Sequence, residues 1–193
     1  MFRIGVLISG GGTNLQALID AVEEGRLNAR ITKVIADRPA GGLRRAAAAG
    51  IPAVMLDRKI YGKDLSGRIM KELGGKTDLV VLAGFLSILN GSFTAAYRGR
   101  IINIHPSLLP AYGGMGMHGI HVHEAVLAAG EKYSGCTVHL VEEGVDTGKI
   151  LAQKKVSVLP SDTPQSLARR ILEEEHSLLV SAVKNMINSL EDK

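Results

Sequence analysis

Asn103 and His105 stand two positions apart in the stretch from Asn103 to Pro110, NIHPSLLP. Alternate residues of a strand share a face, so at the end of a strand the amide and the imidazole leave on the same side and can converge on one atom. An amide donor and an imidazole aimed together suit an oxygen that gains negative charge, as in acyl transfer. The same two groups would also serve as a buried polar pair tying down the next loop, and spacing alone leaves both readings open. Asp146 lies between Gly144 and Gly148 in EGVDTGKI, from Glu143 to Ile150. Glycines there permit a tight turn that presents the carboxylate, and beside His105 that carboxylate is expected to raise the imidazole pKa and keep it protonated. An Asx-type turn is the ordinary alternative for Asp next to Gly.

Gly10, Gly11 and Gly12 follow an apolar run and precede a helical pattern. Such a loop lets backbone N–H groups and the positive end of a helix dipole approach a phosphate closely. Its spacing is not the dinucleotide fingerprint: no third glycine falls at the required offset, and Asp37 is the one acid near the end of the second strand. A plain turn capped by Thr13 is the competing reading. His118, His121 and His123 fall within six positions, but with only Glu124 as a nearby carboxylate and no Cys their spacing matches no zinc motif. We read them as loop and helix-start histidines and expect no metal. The single cysteine, Cys136, lies in an alternating run and reads as a buried small hydrophobe in a strand, not a nucleophile.

The elements that must hold these groups alternate along the chain. Strands are expected over 2–8, 31–36, 51–56, 78–83, 100–105, 135–141 and 150–156, with helices from Thr13, over 43–49, 65–73 and 123–129, and a long terminal helix from Thr163 or Pro164. The run DLVVLA, from Asp78 to Ala83, is apolar on both faces, as a central strand covered on two sides must be. The pattern predicts an α/β fold: a mostly parallel twisted sheet with helices on both faces, Rossmann-like. Ligands on such sheets bind beyond the carboxyl ends of the strands, which singles out residues 10–14, 84–89, 105–110 and 142–148.

A chain of 193 residues with 46% hydrophobic content is long enough for one sizeable core and too short for two full domains. The net charge of +4 comes without a basic stripe. Arg44-Arg45, Lys154-Lys155 and Arg169-Arg170 are isolated pairs, read as solvated helix faces, so a small anionic ligand is expected and nucleic acid is not. Met1 leads into an apolar strand with neither leader nor apolar span, giving the expectation of a soluble, cytoplasmic protein without a membrane partner.

Four segments taken together, ISGGGTNLQALID (Ile8 to Asp20), VVLAGFLSIL (Val80 to Leu89), NIHPSLLP (Asn103 to Pro110) and SGCTVHLVEEGVDTGKI (Ser134 to Ile150), resemble the glycinamide ribonucleotide transformylase family of folate-dependent formyltransferases. The match runs over nearly the whole chain, with the motifs in the family's order. The resemblance implies one formyltransferase domain over 1–193, with a phosphate-binding half of about 1–100 and a folate-binding, catalytic half of about 101–193. It implies 10-formyltetrahydrofolate as co-substrate and glycinamide ribonucleotide as the small-molecule partner, in a monomer or homodimer. Asn103, His105 and Asp146 would form the catalytic set. Gly12, Thr13 and Asn14 would hold the substrate phosphate and Glu175 the ribose hydroxyls. The folate would meet Lys63, Leu86, Ser87, Ile88, Leu89 and Asn103. The implied mechanism is direct attack of the amine on the formyl carbon, with the oxyanion held by Asn103 and a protonated His105.

Two residues depart from the family pattern: Ser87 stands where Arg is common, and Lys149 replaces the usual Pro. Lys63 matches the family's Arg only after a gap. Methionyl-tRNA formyltransferases share the Asn, His and Asp set but carry a further tRNA-binding domain and lack the glycine loop. Formyltetrahydrofolate deformylases carry an amino-terminal regulatory domain, where this sequence opens on its first strand. A non-catalytic nucleotide-binding module on the same fold is the reading from another class.

Overall fold

The computed structural model describes residues 1–75 and 77–192. In chain order the elements are β1 (Phe2–Ile8), α1 (Thr13–Glu23), β2 (Ala29–Ala36), α2 (Gly42–Ala48), β3 (Ala53–Met55), α3 (Arg58–Tyr61), a 3-10 turn (Gly62–Asp64), α4 (Leu65–Leu73), β4 (Leu79–Leu82), α5 (Gly91–Ala96), β5 (Ile101–His105), α6 (Ile120–Ala128), β6 (Tyr133–Leu140), β7 (Ile150–Ser157) and α7 (Pro164–Glu191). The expected strands and longer helices are all present. Two short helices, α3 and α5, carry too few turns to show a period; each is opened by a side-chain cap, Asp57 accepting from Lys59 N–H and Asn90 from Phe93 N–H.

The seven strands run in the order β3-β2-β1-β4-β5-β6-β7. The first five pair in parallel, whereas β6 is antiparallel to β5 and to β7. The sheet is therefore mostly parallel, as expected, and its antiparallel part falls at the end where two strands follow one another without a helix. Between β6 and β7 the chain has only the loop 141–149, too short for the crossover a parallel pair needs. Lys154 and Lys155 sit exposed on the edge strand β7, not on a helix.

Successive residues of the central strands enter two separate cores. Ile4, Val6 and Ile8 of β1 and Leu79, Val81 and Ala83 around β4 pack in one cluster, with α1, α6 and α7. Leu7, Val80 and Leu82 pack in the other, with α4 and α5 through Ile69, Leu73 and Phe93. In β5, Ile102 and Ile104 join the first cluster and Ile101 the second, which puts Asn103 and His105 on the second face. Around Asn103, His105 and His139 that face is met by the loops 106–119 and 141–149, through Leu109, Tyr112 and Asp146. The long α7 buries Leu167, Ile171, Glu175, Leu179, Val183 and Ile187, a ladder of fours and one face of a helix, in which Glu175 is the one charged type. It opens on a reciprocal cap between Thr163 and Ser166 with Pro164 in the first turn. No helix among the described residues is long and apolar enough to cross a membrane.

Cys136 is fully buried in β6 within the first cluster, and burial pushes its thiol up to about 12. A thiolate is the reactive form, so a thiol-reactive disulfide reagent at pH 8 should label the native chain negligibly and the urea-unfolded chain fully. Rapid labelling of the native chain would contradict this placement.

Candidate active site

The order of strands reverses direction between β1 and β4, so the crevice for a ligand opens beyond their carboxyl ends, beside that of β5. On one rim lies the glycine loop. Gly12 is the N-cap of α1 with a left-handed φ of 74°, and a Cβ there would come within 2.6 Å of the Gly42 Cα at the start of α2. Thr13 is thus the first helical residue and not the cap; its side chain is released from that duty. Arg45, expected on a solvated face, reaches back to the loop, with Nε donating to the Gly11 carbonyl at 2.8 Å.

Asn14, one residue further, donates from Nδ2 to Glu175 Oε2 at 2.7 Å, a bond across 161 positions of sequence. Both side chains are buried, and Asn14 Oδ1 has no partner among the described residues. Burial pushes the Glu175 carboxyl up to about 7, against which the Asn14 bond pulls only weakly. The pair from the glycine loop and the terminal helix, grouped in sequence only by resemblance, is physically one unit.

On the other rim, Asn103 lies beside Leu82 of β4 and directly opposite His139 of β6. Asn103 Nδ2 is 3.1 Å from His139 Nε2. Since His139 Nδ1 faces the Leu140 carbonyl at 2.8 Å, Nδ1 carries the proton and Nε2 accepts from the Asn103 amide. The same logic fixes His105, whose Nε2 donates to the Tyr112 carbonyl at 2.8 Å and whose Nδ1 lies 3.5 Å from Asp146 Oδ2. Asp146 Oδ1 stands 3.5 Å from Asn103 Nδ2 and 3.6 Å from His139 Nε2, and Oδ2 accepts the Gly114 N–H at 3.0 Å. Asn103, His105 and Asp146 therefore converge; spacing allowed this for Asn103 and His105, whereas Asp146 was joined to them only by the resemblance.

Backbone strain sits at the same place. Among the described residues the two non-glycine residues with a left-handed φ are Tyr112, at 56°, and Asp146, at 58°, and they hold the two nitrogens of His105. Gly148 makes the Asp146 turn possible, because a Cβ there would fall 1.8 Å from the Leu140 carbonyl oxygen.

The expected protonation of His105 is not what the surroundings favour. Burial, the largest effect, disfavours the cation; the Asp146 charge and the Tyr112 carbonyl favour it, His139 opposes it, and the net direction is down from the ordinary 6.5. A carboxylate at 3.5 Å is too loose a partner to outweigh the loss of water around an imidazole 4% exposed. Burial alone would raise the Asp146 carboxyl, but the adjoining His139 and His105 rings and the Gly114 N–H hold it below its ordinary value. The site at neutral pH is thus an ionised carboxylate facing the bare Nδ1 of a neutral imidazole, with a place between them for one proton.

Leu86 and Ile88 are exposed apolar side chains beside the crevice, at 43% and 65%, while Leu89 turns into the second core and leaves only backbone for a ligand. Ser87 Oγ donates to the buried Asp37 at 2.6 Å. Lys63 stands exposed on the 3-10 turn and joins neither cluster. Of the three histidines near 120, His118 and His121 are solvent-side neighbours with rings 5.7 Å apart, and His123 is buried. The reading from residue types overlooked His139, Tyr112, Gly114 and Asp37. His139 had one signal, a histidine in an otherwise apolar strand; Tyr112 and Gly114 act through backbone atoms and had none.

Two titrations test these assignments. In the native chain the His105 ring signals should move with a midpoint below 6.5, and Asp146→Asn should lower it further, because Asp146 is what holds it up. Between its lowered and ordinary values the unfolded chain binds the proton more readily, so His105 costs stability as pH falls below about 6.5. Glu175 has the opposite sign: the native chain keeps its proton up to about 7 and the unfolded chain loses it near 4.5, so its contribution falls as pH rises through that window. Glu175→Gln should flatten this part of a urea-denaturation stability profile, and an unchanged profile would refute the shift.

The formyl transferase family matches residues 2–183 of the chain. The chain is 44% identical over 195 residues to the trifunctional purine biosynthetic protein adenosine-3 of Drosophila melanogaster, covering 96% of itself and 14% of that longer protein. It is 40% identical over 190 residues to the phosphoribosylglycinamide formyltransferase of Haemophilus influenzae, covering 95% of itself and 86% of the relative. The crystal structure of glycinamide ribonucleotide transformylase 1 from Symbiobacterium toebii superposes with a TM-score of 0.86 at 45% identity, over 95% of this chain and 86% of that one. The chain spans about a seventh of the Drosophila protein, and that segment contains the whole sheet and both clusters described above. With the motifs, the fold and nearly the full length in agreement, the chain belongs to the formyl transferase family, among the phosphoribosylglycinamide formyltransferases.

Proposed function

We propose that this chain transfers the formyl group of 10-formyltetrahydrofolate to the amine of glycinamide ribonucleotide in purine biosynthesis. The observation that carries the reading is the ionised Asp146 held among Asn103, His105 and His139 beyond the end of β5. The residues around the crevice fit both ligands. Gly10, Gly11 and Gly12 leave backbone N–H groups open at the head of α1 for a phosphate, and no atom lies within 4 Å of where Cβ atoms would stand at 10 and 11. The buried, unpartnered Asn14 Oδ1 and the protonated Glu175 suit ribose hydroxyls. Exposed Leu86 and Ile88 offer an apolar edge to a pterin, with Lys63 beyond them for its acidic tail.

The bound folate supplies an activated formyl carbon. The new C–N bond forms from the amine, the old C–N bond to the folate breaks, and one proton must pass from the attacking to the departing nitrogen. Asn103 Nδ2, fixed by His139, donates toward the oxygen that gains charge. The His105–Asp146 pair receives the proton from the attacking nitrogen and returns it to the departing folate nitrogen, and His105 is a cation only between the two transfers, with Asp146 on Nδ1 and the Tyr112 carbonyl on Nε2 to hold it. This replaces a permanently protonated His105.

The same reading makes residues 1–193 one domain, acting in the cytoplasm as a monomer or homodimer on small molecules, without nucleic acid or membrane. The two halves share the work: Leu86 and Ile88 lie in the first and Glu175 in the second. Absorbance-monitored release of tetrahydrofolate should require glycinamide ribonucleotide. Asp146→Asn and His105→Ala should each lower kcat by about 10² to 10³ while leaving the urea midpoint readable. A well-folded native chain without turnover would instead favour the nucleotide-binding module.

A further inference from the structure

Asp37, at the end of β2, is fully buried, and the proposed chemistry does not use it. Its carboxylate takes both Arg38 Nε and Nη2, at 2.9 and 2.7 Å, and the Ser87 hydroxyl at 2.6 Å. The neighbouring Ser9 hydroxyl helps to keep it ionised, and the Ser9 oxygen accepts the Leu86 N–H at 2.8 Å. The backbone continues the knot: Ser9 N–H reaches the Gly84 carbonyl at 3.0 Å and Arg58 N–H the Asp37 carbonyl at 2.9 Å. One side chain thus grips the residue just before the glycine loop and the residue between exposed Leu86 and Ile88.

We infer that Asp37 is a positioning residue for the two-substrate crevice, its carboxylate setting the gap between the glycine loop and the 84–89 loop through Ser9 and Ser87. A buried charge is a costly way merely to hold a fold together, and an uncharged group of similar size would serve stability as well or better. What the carboxylate adds is several short, directional acceptor positions, so two loops from different strands are registered on one rigid plane. The Ser87 side chain, where the family more often has Arg, points inward to this plane and not to the ligand. The inference rests on the proposed function for its kinetic readout and is independent of it for its structural one.

The test uses Ser87→Ala, Asp37→Asn and the double variant. The KM for the formyl donor should rise about tenfold in Ser87→Ala and both KM values should rise in Asp37→Asn, with kcat at saturation within about threefold of native. Because both changes break one bond, the double variant should resemble Asp37→Asn and not the sum. In ligand-free protein, amide hydrogen exchange at Ser9 and Leu86 should accelerate in both single variants. Unchanged exchange at these amides overturns the inference, as does faster exchange with unchanged KM values, or a fall in kcat and stability alone. Should Asp37→Asn fail to fold, Ser87→Ala carries the same tests. If the native chain shows no turnover, the proposed function fails, and the exchange result alone upholds or overturns the clasp.

Discussion

Asp146 is a carboxylate largely withdrawn from water, and the loops and strands beyond β5 are the means of keeping it ionised there. It takes a backbone N–H from Gly114 and lies within about 3.6 Å of an amide and two imidazoles, each of which is anchored at its other end. The anchors are backbone carbonyls, Tyr112 for His105 and Leu140 for His139, so the tautomers are set by the main chain. That arrangement demands strain: left-handed backbone at Tyr112 and Asp146, and a glycine at 148 where nothing larger fits. A more relaxed loop would carry the carboxylate away from β5.

Two buried carboxylates and one partly buried line the carboxyl edge of the sheet and its terminal helix, and their surroundings separate them by degree of compensation. Asp37 has a bidentate guanidinium and two hydroxyls, which together outweigh burial and hold it below its ordinary range. Asp146 has no permanent cation, yet its bonds and the adjoining imidazole suffice to keep it ionised. Glu175 has one amide and keeps its proton to about 7. The same chemical group is thereby made a fixed anchor, a proton acceptor and a neutral hydrogen-bonding acid, by neighbours alone.

The uneven helical cover explains why the chemistry stands where it does. On the first face α1, α6 and α7 cover the sheet out to β6 and β7, and on the second α4 and α5 reach only as far as Ile101 at the start of β5. Asn103, His105 and His139 occupy the part of the second face that is covered by loops in place of a helix, and loops can bring backbone donors and acceptors close to them. The antiparallel return of β6 brings His139 opposite Asn103, a pairing that a parallel strand reached by a helix would not place in the same register.

Hydrophobic period and glycine placement decided most of the architecture locally. The alternation within β1 and β4, the fours of α7 and the cap at Thr163 each follow from neighbours in sequence, so strands, longer helices and the crevice beyond residues 8, 82 and 105 were legible without coordinates. Asn103 and His105 were legible as a pair because two residues of one strand must share a face. The short helices α3 and α5 and the antiparallel end of the sheet were not, since a single turn has no period and strand direction depends on what the connection packs against. Nor were His139, the Tyr112 carbonyl or the clasp at Asp37, whose bonds span 36 to 77 positions or act through backbone atoms. Above all, the sign of the His105 shift belongs to the tertiary structure: sequence can suggest a carboxylate nearby, but only packing determines how much water the imidazole loses, and here that loss outweighs the charge.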